Sequence, residues 1–249
     1  MLLIIGATSF KLLLTFLIAY LSGLLVKYEH VKVNYTRKID HLCLFFIPAL
    51  MDYLFLHNTV IPTSLMIINR GLFVLSTFII FIKPVRSRIS IIATAFSSFD
   101  RPEDRPNTLL WYTSQIIIGY FILVPVISVF DKFHMLSLLS IPMLIIVFGD
   151  GLAEPIGIRF GKHKYTAYSI FPIKKYVRSL EGSLTVFIVS IIIIFIFGHP
   201  FNHTQFLIAL ATIPIAMTLA EAFSPHTWDD PLMVIIGSAL IFLIKHFIH

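Results

Sequence analysis

Long apolar blocks separated by short polar runs constrain this chain more than any other feature. A membrane-spanning helix needs about 20 mainly apolar residues. Eight segments are candidates, at 3–26, 42–56, 60–82, 109–130, 135–150, 183–197, 205–222 and 232–248. Three of these run to only 15 or 16 residues, which implies tilted, extended or broken spans. Of the 249 residues, 57% are hydrophobic and 13% charged, whereas a soluble domain carries about 25% charge. So much apolar surface would aggregate if it faced water. The expected fold is all-α, a polytopic transmembrane helical bundle of about eight spans, with residues 1–249 forming a single integral membrane domain. The first block outruns the h-region of a signal peptide, about 7–15 residues, and no charged region precedes it, so it is expected to remain as a span.

Loop charge sets the expected topology. Three loops, following the first, third and fifth spans, hold 15 of the 19 Lys and Arg residues. The alternate loops hold only Lys132. If all eight segments span, the charged loops share one side, and the positive-inside rule makes that side cytoplasmic with both termini outside. The cytoplasmic loops then lie at about 27–41, 83–108, 151–182 and 223–231. Lipid headgroups account for the net charge of +6 without any nucleic-acid partner. Cys43, alone of its kind, excludes an internal disulfide and reads as a small packing residue.

Chemistry concentrates in three polar clusters on the charged side. The first, Gly149-Asp150-Gly151-Leu152-Ala153-Glu154-Pro155-Ile156-Gly157 and on through Arg159 to Gly161, sets two carboxylates four residues apart at the end of an apolar run. That spacing shares one helix face, although Pro155 makes a regular helix through Glu154 less certain. Carboxylates at a membrane boundary suit Mg²⁺, which takes oxygen ligands and shares them with phosphates; a polar helix end with glycine caps is the plainer reading. A cationic stretch follows, with Lys162, Lys164, Lys174, Lys175 and Arg178. It suits triphosphate oxygens or lipid headgroups, and a solvated face explains it as well.

The second cluster is Arg178-Ser179-Leu180-Glu181-Gly182-Ser183, at the entrance of the sixth span. The third is Glu221 followed by Ser224-Pro225-His226-Thr227-Trp228-Asp229-Asp230-Pro231, which has no Lys or Arg and so falls outside the charge rule. Arg37-Lys38-Ile39-Asp40-His41 and the alternating charges of Asp100 to Asn107 share the same side, the latter equally readable as a salt-bridged turn. Stretch 88–99 suits a short interfacial helix. No P-loop, dinucleotide fingerprint, nucleophile elbow or His-Glu-x-x-His is present. Asp52 and Arg70 fall at similar depth in adjacent antiparallel spans and are expected to pair, because an unpaired charge there is costly.

Taken together, the clusters resemble the polyprenol, dolichol and phytol kinase family. Gly149 to Gly157 resembles its Gly-Asp-Gly segment, and Arg178 to Ser183 its Lys/Arg-Ser-x-x-Gly-Ser segment. Ala220-Glu221-Ala222-Phe223-Ser224-Pro225 with Asp229-Asp230 resembles its Ala-Glu-Ala-Leu-Ser-Pro-x-x-x-Asp segment, and Arg37-Lys38 with His41 its Arg-Lys-x-x-His. The pair Asp229-Asp230 departs from the family's Asp-Asn, which leaves open which aspartate matters. The resemblance implies phosphoryl transfer from CTP, or another nucleotide, to the hydroxyl of a membrane isoprenoid alcohol. It implies Mg²⁺ on Asp150 and Glu154, with Glu181 also catalytic. It places Gly149, Gly151, Gly157, Arg159, Lys162, Lys164, Lys174, Lys175, Arg178, Ser179, Gly182, Ser183, Glu221, Ser224, Pro225, Asp229 and Asp230 around nucleotide and substrate. Arg37, Lys38 and His41 would close the site. A lipid-phosphate cytidylyltransferase and a membrane transporter are the competing readings.

Overall fold

The computed structural model describes residues 2–56, 63–169, 175–226 and 228–248. The protein is an all-α polytopic bundle. Seven of its described helices are long and apolar enough to cross a membrane, and a shorter apolar helix covers Ile67–Ile80. The chain divides into two compact units, Met1–Ile116 and Ile117–His249.

The first unit begins with α1 (Leu2–Tyr28), α2 (Val33–Leu56) and α3 (Thr63–Ile80). Two short helices follow, α4 (Lys83–Arg86) and α5 (Ser90–Phe96), before α6 (Thr108–Lys132) crosses into the second unit. Helix α2 starts well before the apolar block at residue 42, so Arg37, Lys38 and His41 occupy its first turns instead of a loop. Helix α1 packs against α2, α3 and α5. Gly23 permits the approach to α5: a Cβ there would sit 1.9 Å from the Thr94 carbonyl oxygen. Phe81, Phe96 and Phe99 form an aromatic core beside Ala19. Lipid offers no hydrophobic driving force between helices, so such interdigitation and interhelical hydrogen bonds hold the unit together.

The expected Asp52–Arg70 pair forms at 3.2 Å. Lys11 of α1 joins it, its ammonium bonded to the other carboxylate oxygen of Asp52. Lys11 is 1% exposed, whereas the Arg70 side chain is 47% exposed, so the lysine is the partner that Asp52 buries. The Asp100–Asn107 cluster is a salt-bridged turn, with Arg101 on Asp104 at 2.7 Å and Arg105 on Asp100 at 2.9 Å.

In the second unit, a continuous helical rod runs from Leu136 to Phe160. It comprises a 3₁₀ turn (Leu136–Leu139), α7 (Ser140–Leu144), a π-helical stretch (Ile145–Asp150) and α8 (Gly151–Phe160). The helix therefore passes through Pro155, and irregularity falls just before it, in the widened turn ending at Asp150. The region after Phe160 is more ordered than a loop: β1 (Lys164–Tyr168) pairs antiparallel with β2 (Lys175–Ser179). Lys174 lies outside the described residues. Helices α9 (Leu180–Phe197), α10 (His203–Phe223) and α11 (Asp229–Phe247) complete the unit. Their buried seam includes Val186, Ile194, Ile213, Met217, Met233 and Ile241. Each start has a local cause. Ser179 caps α9 by accepting from the Gly182 amide at 3.1 Å, and Asn202 with Gln205 forms a capping box on α10. Asp229 and Asp230 sit in the first turn of α11, where the helix dipole favours negative charge.

Candidate active site

The second unit gathers the three clusters at the ends of its helices. Glycines let the backbones close. A Cβ on Gly182 would meet the Ala153 carbonyl oxygen at 2.7 Å, and one on Gly157 would meet Ser179 Oγ at 2.7 Å. Thus α8 and α9 lie against each other where the first and second clusters meet.

Arg178 is the hub. Its guanidinium lies 3.3 Å from Glu221 and 3.4 Å from Asp229, and it donates to Ser224 Oγ at 3.4 Å. Burial by itself would lower its pKa, but the facing charges of Asp229, Glu221, Tyr165 and Asp150 more than reverse this and raise it. Glu221 also accepts from Ser183 Oγ at 2.9 Å, and that hydroxyl meets the Tyr165 phenol at 2.7 Å. In the hairpin register Tyr165 stands directly opposite Arg178, which is why one strand can deliver both groups to one network. Burial, then the nearby Glu221 carboxylate, pushes the Tyr165 phenol above its ordinary range.

Asp150, buried at 6% exposure, ends the π-helical stretch. Its carboxylate oxygens and those of Asp230 come within 4.8 Å of one another. The two adjacent aspartates of the third cluster therefore divide: Asp229 turns to Arg178, and Asp230 approaches Asp150. Two hard oxygen donors this close, one ending the π-helical stretch and one in the first turn of α11, fit Mg²⁺. Glu154 lies one turn beyond Asp150 on α8, partly buried.

The remaining sequence candidates each have a defined place in the fold. Glu181 receives the His163 backbone amide at 3.2 Å and lies 2.8 Å from His163 Nδ1. Arg159, Lys162, Lys164 and Lys175 are exposed. Gly149 lies against Val186 and Gly151 is buried in α8, both as packing positions. Pro225 follows Ser224 in the turn between α10 and α11. Arg37, Lys38 and His41 belong to α2 of the first unit, with Lys38 buried.

One group escaped the sequence reading: Tyr165 joins the network through Ser183. His226, part of the third cluster, stacks on Tyr176 of β2 with ring centroids 3.5 Å apart. The alternation of side chains along Lys175-Tyr176-Val177-Arg178-Ser179 is the signal that would have found the strand.

The chain is similar to a phytol kinase of Synechocystis, with 35% identity over 105 residues. The match covers 41% of this chain and 42% of that protein, so the chain spans under half the length of the curated relative it matches. This similarity supports a relationship with the phytol and polyprenol kinases. No family model matches the chain, and no solved structure does.

Proposed function

We propose that the protein is a lipid-alcohol kinase that transfers the terminal phosphoryl group of CTP to the hydroxyl of a membrane isoprenoid alcohol at the cytoplasmic face. One observation carries this reading beside the similarity: Arg178 of the second cluster and Glu221 and Asp229 of the third build one largely buried network next to the paired carboxylates of Asp150, from the first cluster, and Asp230.

Phosphoryl transfer asks little covalent chemistry of a protein and depends on positioning and charge neutralisation. The alcohol oxygen forms a bond to the terminal phosphorus as the bond from that phosphorus to the bridging oxygen breaks, and CDP leaves. The hydroxyl proton passes to a carboxylate, for which Asp150 and Glu154 are the candidates. Mg²⁺, held by Asp150 with Glu154 and Asp230, would neutralise phosphate charge when bound. Arg178 is fixed on two carboxylates and so presents its remaining N–H groups in a set direction. Lys162, Lys164, Lys174 and Lys175 supply exposed positive charge for the nucleotide phosphates. Ser179 and Gly182 hold the start of α9, which aims Ser183 at Glu221.

The test is product analysis. Purified protein is given Mg²⁺, γ-labelled CTP or ATP, and a panel of isoprenoid alcohols. Label entering the lipid phase, and lost in Asp150→Asn, is the expected result. No labelled lipid from any alcohol would overturn the reading. Release of pyrophosphate with phosphatidic acid would identify a cytidylyltransferase instead.

A further inference from the structure

Helices α4 and α5 and the turn between them carry positive charge that the first unit does not balance. No acid occurs in the sequence between Asp52 and Asp100, yet Lys83, Arg86 and Arg88 fall there within six residues. The acids that follow are engaged: Asp100 receives Arg105 at 2.9 Å, and Asp104 receives Arg101 at 2.7 Å. Among the described residues, no carboxylate comes within ion-pair distance of Lys83, Arg86 or Arg88.

Arg86 is held in place by an aromatic ring. Its guanidinium carbon sits 3.8 Å from the centroid of Phe96. Phe96 is buried and packs against Phe99 with ring centroids 4.9 Å apart. Helix α5, which carries Phe96, is fixed against α1 by the close approach of Gly23 to Thr94. A guanidinium stacked in this way is preorganised, so little further freedom is lost when its outer N–H groups meet an anion. Lys83 lies three residues before Arg86 on α4. Residues at that spacing are neighbours, with Cβ atoms about 5–6 Å apart. Two cations this close suit one phosphate group.

The surroundings indicate which phosphate. Helix α3 ends at Ile80 and α4 begins at Lys83, so the cations stand at the end of an apolar helix, where headgroups lie. Ile82, Ile89 and Ile91 are exposed among them. A free nucleotide or inorganic phosphate offers these isoleucines nothing, whereas a lipid phosphate brings its glycerol and upper acyl chain to the same place. Water solvates each cation but adds no negative charge, and so leaves three neighbouring like charges uncompensated. A zwitterionic headgroup carries its own cation. An anionic headgroup supplies the net negative charge that the patch lacks.

We propose that α4, with the turn that leads into α5, binds the headgroup of an anionic phospholipid, with Arg86 and Lys83 on its phosphate and Arg88 beside them. The inference is independent of the chemistry assigned to the second unit.

The experiment uses the full chain in detergent, without nucleotide, and counts bound lipids by native mass spectrometry in an equimolar mixture of phosphatidylglycerol and phosphatidylcholine. Phosphatidylglycerol is expected to bind severalfold more. One cation beside an anionic lipid is worth about fivefold in affinity. Arg86→Gln should therefore weaken phosphatidylglycerol binding about fivefold, and Lys83→Gln combined with Arg88→Gln by roughly tenfold or more. Should Arg86→Gln misfold, the double variant carries the test, since both of its positions are exposed. Lys132→Gln, which removes an exposed cation at the end of α6, should leave the preference unchanged. Equal binding of the two lipids, an unaltered preference in the folded double variant, or an equal loss in Lys132→Gln would each overturn the proposal. Displacement of phosphatidylglycerol by inorganic phosphate or CTP would overturn it as well, by marking a site for free phosphate in place of a lipid.

Discussion

In the first unit, one carboxylate meets two cations: Asp52 faces Lys11 and Arg70 inside the spans. In the second unit the ratio reverses. One cation, Arg178, contacts Glu221 and Asp229 and feels Asp150, while Asp150 and Asp230 bring more negative charge close by. The first arrangement fixes helices. The second gathers a surplus of carboxylates at helix ends, which the proposed Mg²⁺ would offset. Mutation should separate these two designs.

The largest effect is expected at the surplus. Asp150→Asn keeps the shape and the burial but removes a charge, and transfer of label from CTP to lipid should fall by about a hundred- to a thousandfold, as when one charge-stabilising group is lost. Thermal unfolding should stay near wild type, because relieving like-charge crowding offsets the lost contacts. A variant that keeps its activity would remove Asp150 from the chemistry and leave the surplus without a purpose.

Next comes the Lys11–Asp52–Arg70 cluster. Asp52→Leu strands the buried Lys11 ammonium and should destabilise the protein by about 3–5 kcal/mol. Replacing Lys11, Asp52 and Arg70 together by Met, Leu and Leu should recover much of that loss, since an apolar cluster of similar volume needs no desolvation. Specific activity per folded molecule should change little in either protein. A large loss of activity in a folded triple variant would place this cluster among the functional groups and erase the contrast between the units.

Gly182→Ala should act between these extremes. The new Cβ meets the Ala153 carbonyl oxygen at 2.7 Å, so α8 and α9 must part. Overpacking of this kind costs about 1–3 kcal/mol. The movement also shifts Ser183 away from Glu221, so activity should drop further than stability implies. Equal losses in both would mean that α9 carries no positioning role.

Much of this contrast was legible beforehand. Blocks of apolar residues marked every span, because a bilayer requires length and hydropathy and little else. The Asp52–Arg70 pair followed from depth alone, and the structure brings Arg178 of the second cluster to Glu221 and Asp229 of the third, within electrostatic reach of Asp150 in the first. What escaped has physical reasons. Lys11 looked like an interruption in an apolar run, since one-dimensional hydropathy does not show that α1 faces α2 at that level. Helices α2 and α8 continue past the charges that end their apolar blocks, because backbone hydrogen bonding stops at caps and not at polarity. The hairpin hid because strands of five residues, rich in Lys, Thr and Tyr, leave too short a period-two pattern to stand out. With the hairpin went Tyr165, whose place opposite Arg178 depends on register.

The smallest expected effect belongs to that tyrosine, and pH exposes it. Burial first, and Glu221 second, raise the Tyr165 pKa, with Ser183 and Arg178 opposing. The fold thus favours the neutral phenol. This contribution to stability is fully present below the unfolded pKa of about 10 and is lost as pH rises through the higher folded value. Wild-type protein should therefore lose thermal stability on passing from pH 9 to pH 11, as read in steps of about one pH unit. Tyr165→Phe gives up one hydrogen bond, about 1 kcal/mol, at neutral pH. Its stability should then decline less over the same alkaline range, so the two curves converge. Parallel curves would mean that Tyr165 ionises as freely as in the unfolded chain, and that the Glu221 carboxylate is screened from it. The surplus of negative charge around Arg178 would in that case be weaker at the hairpin than at Asp150, and the contrast between the two units would narrow to the helix ends.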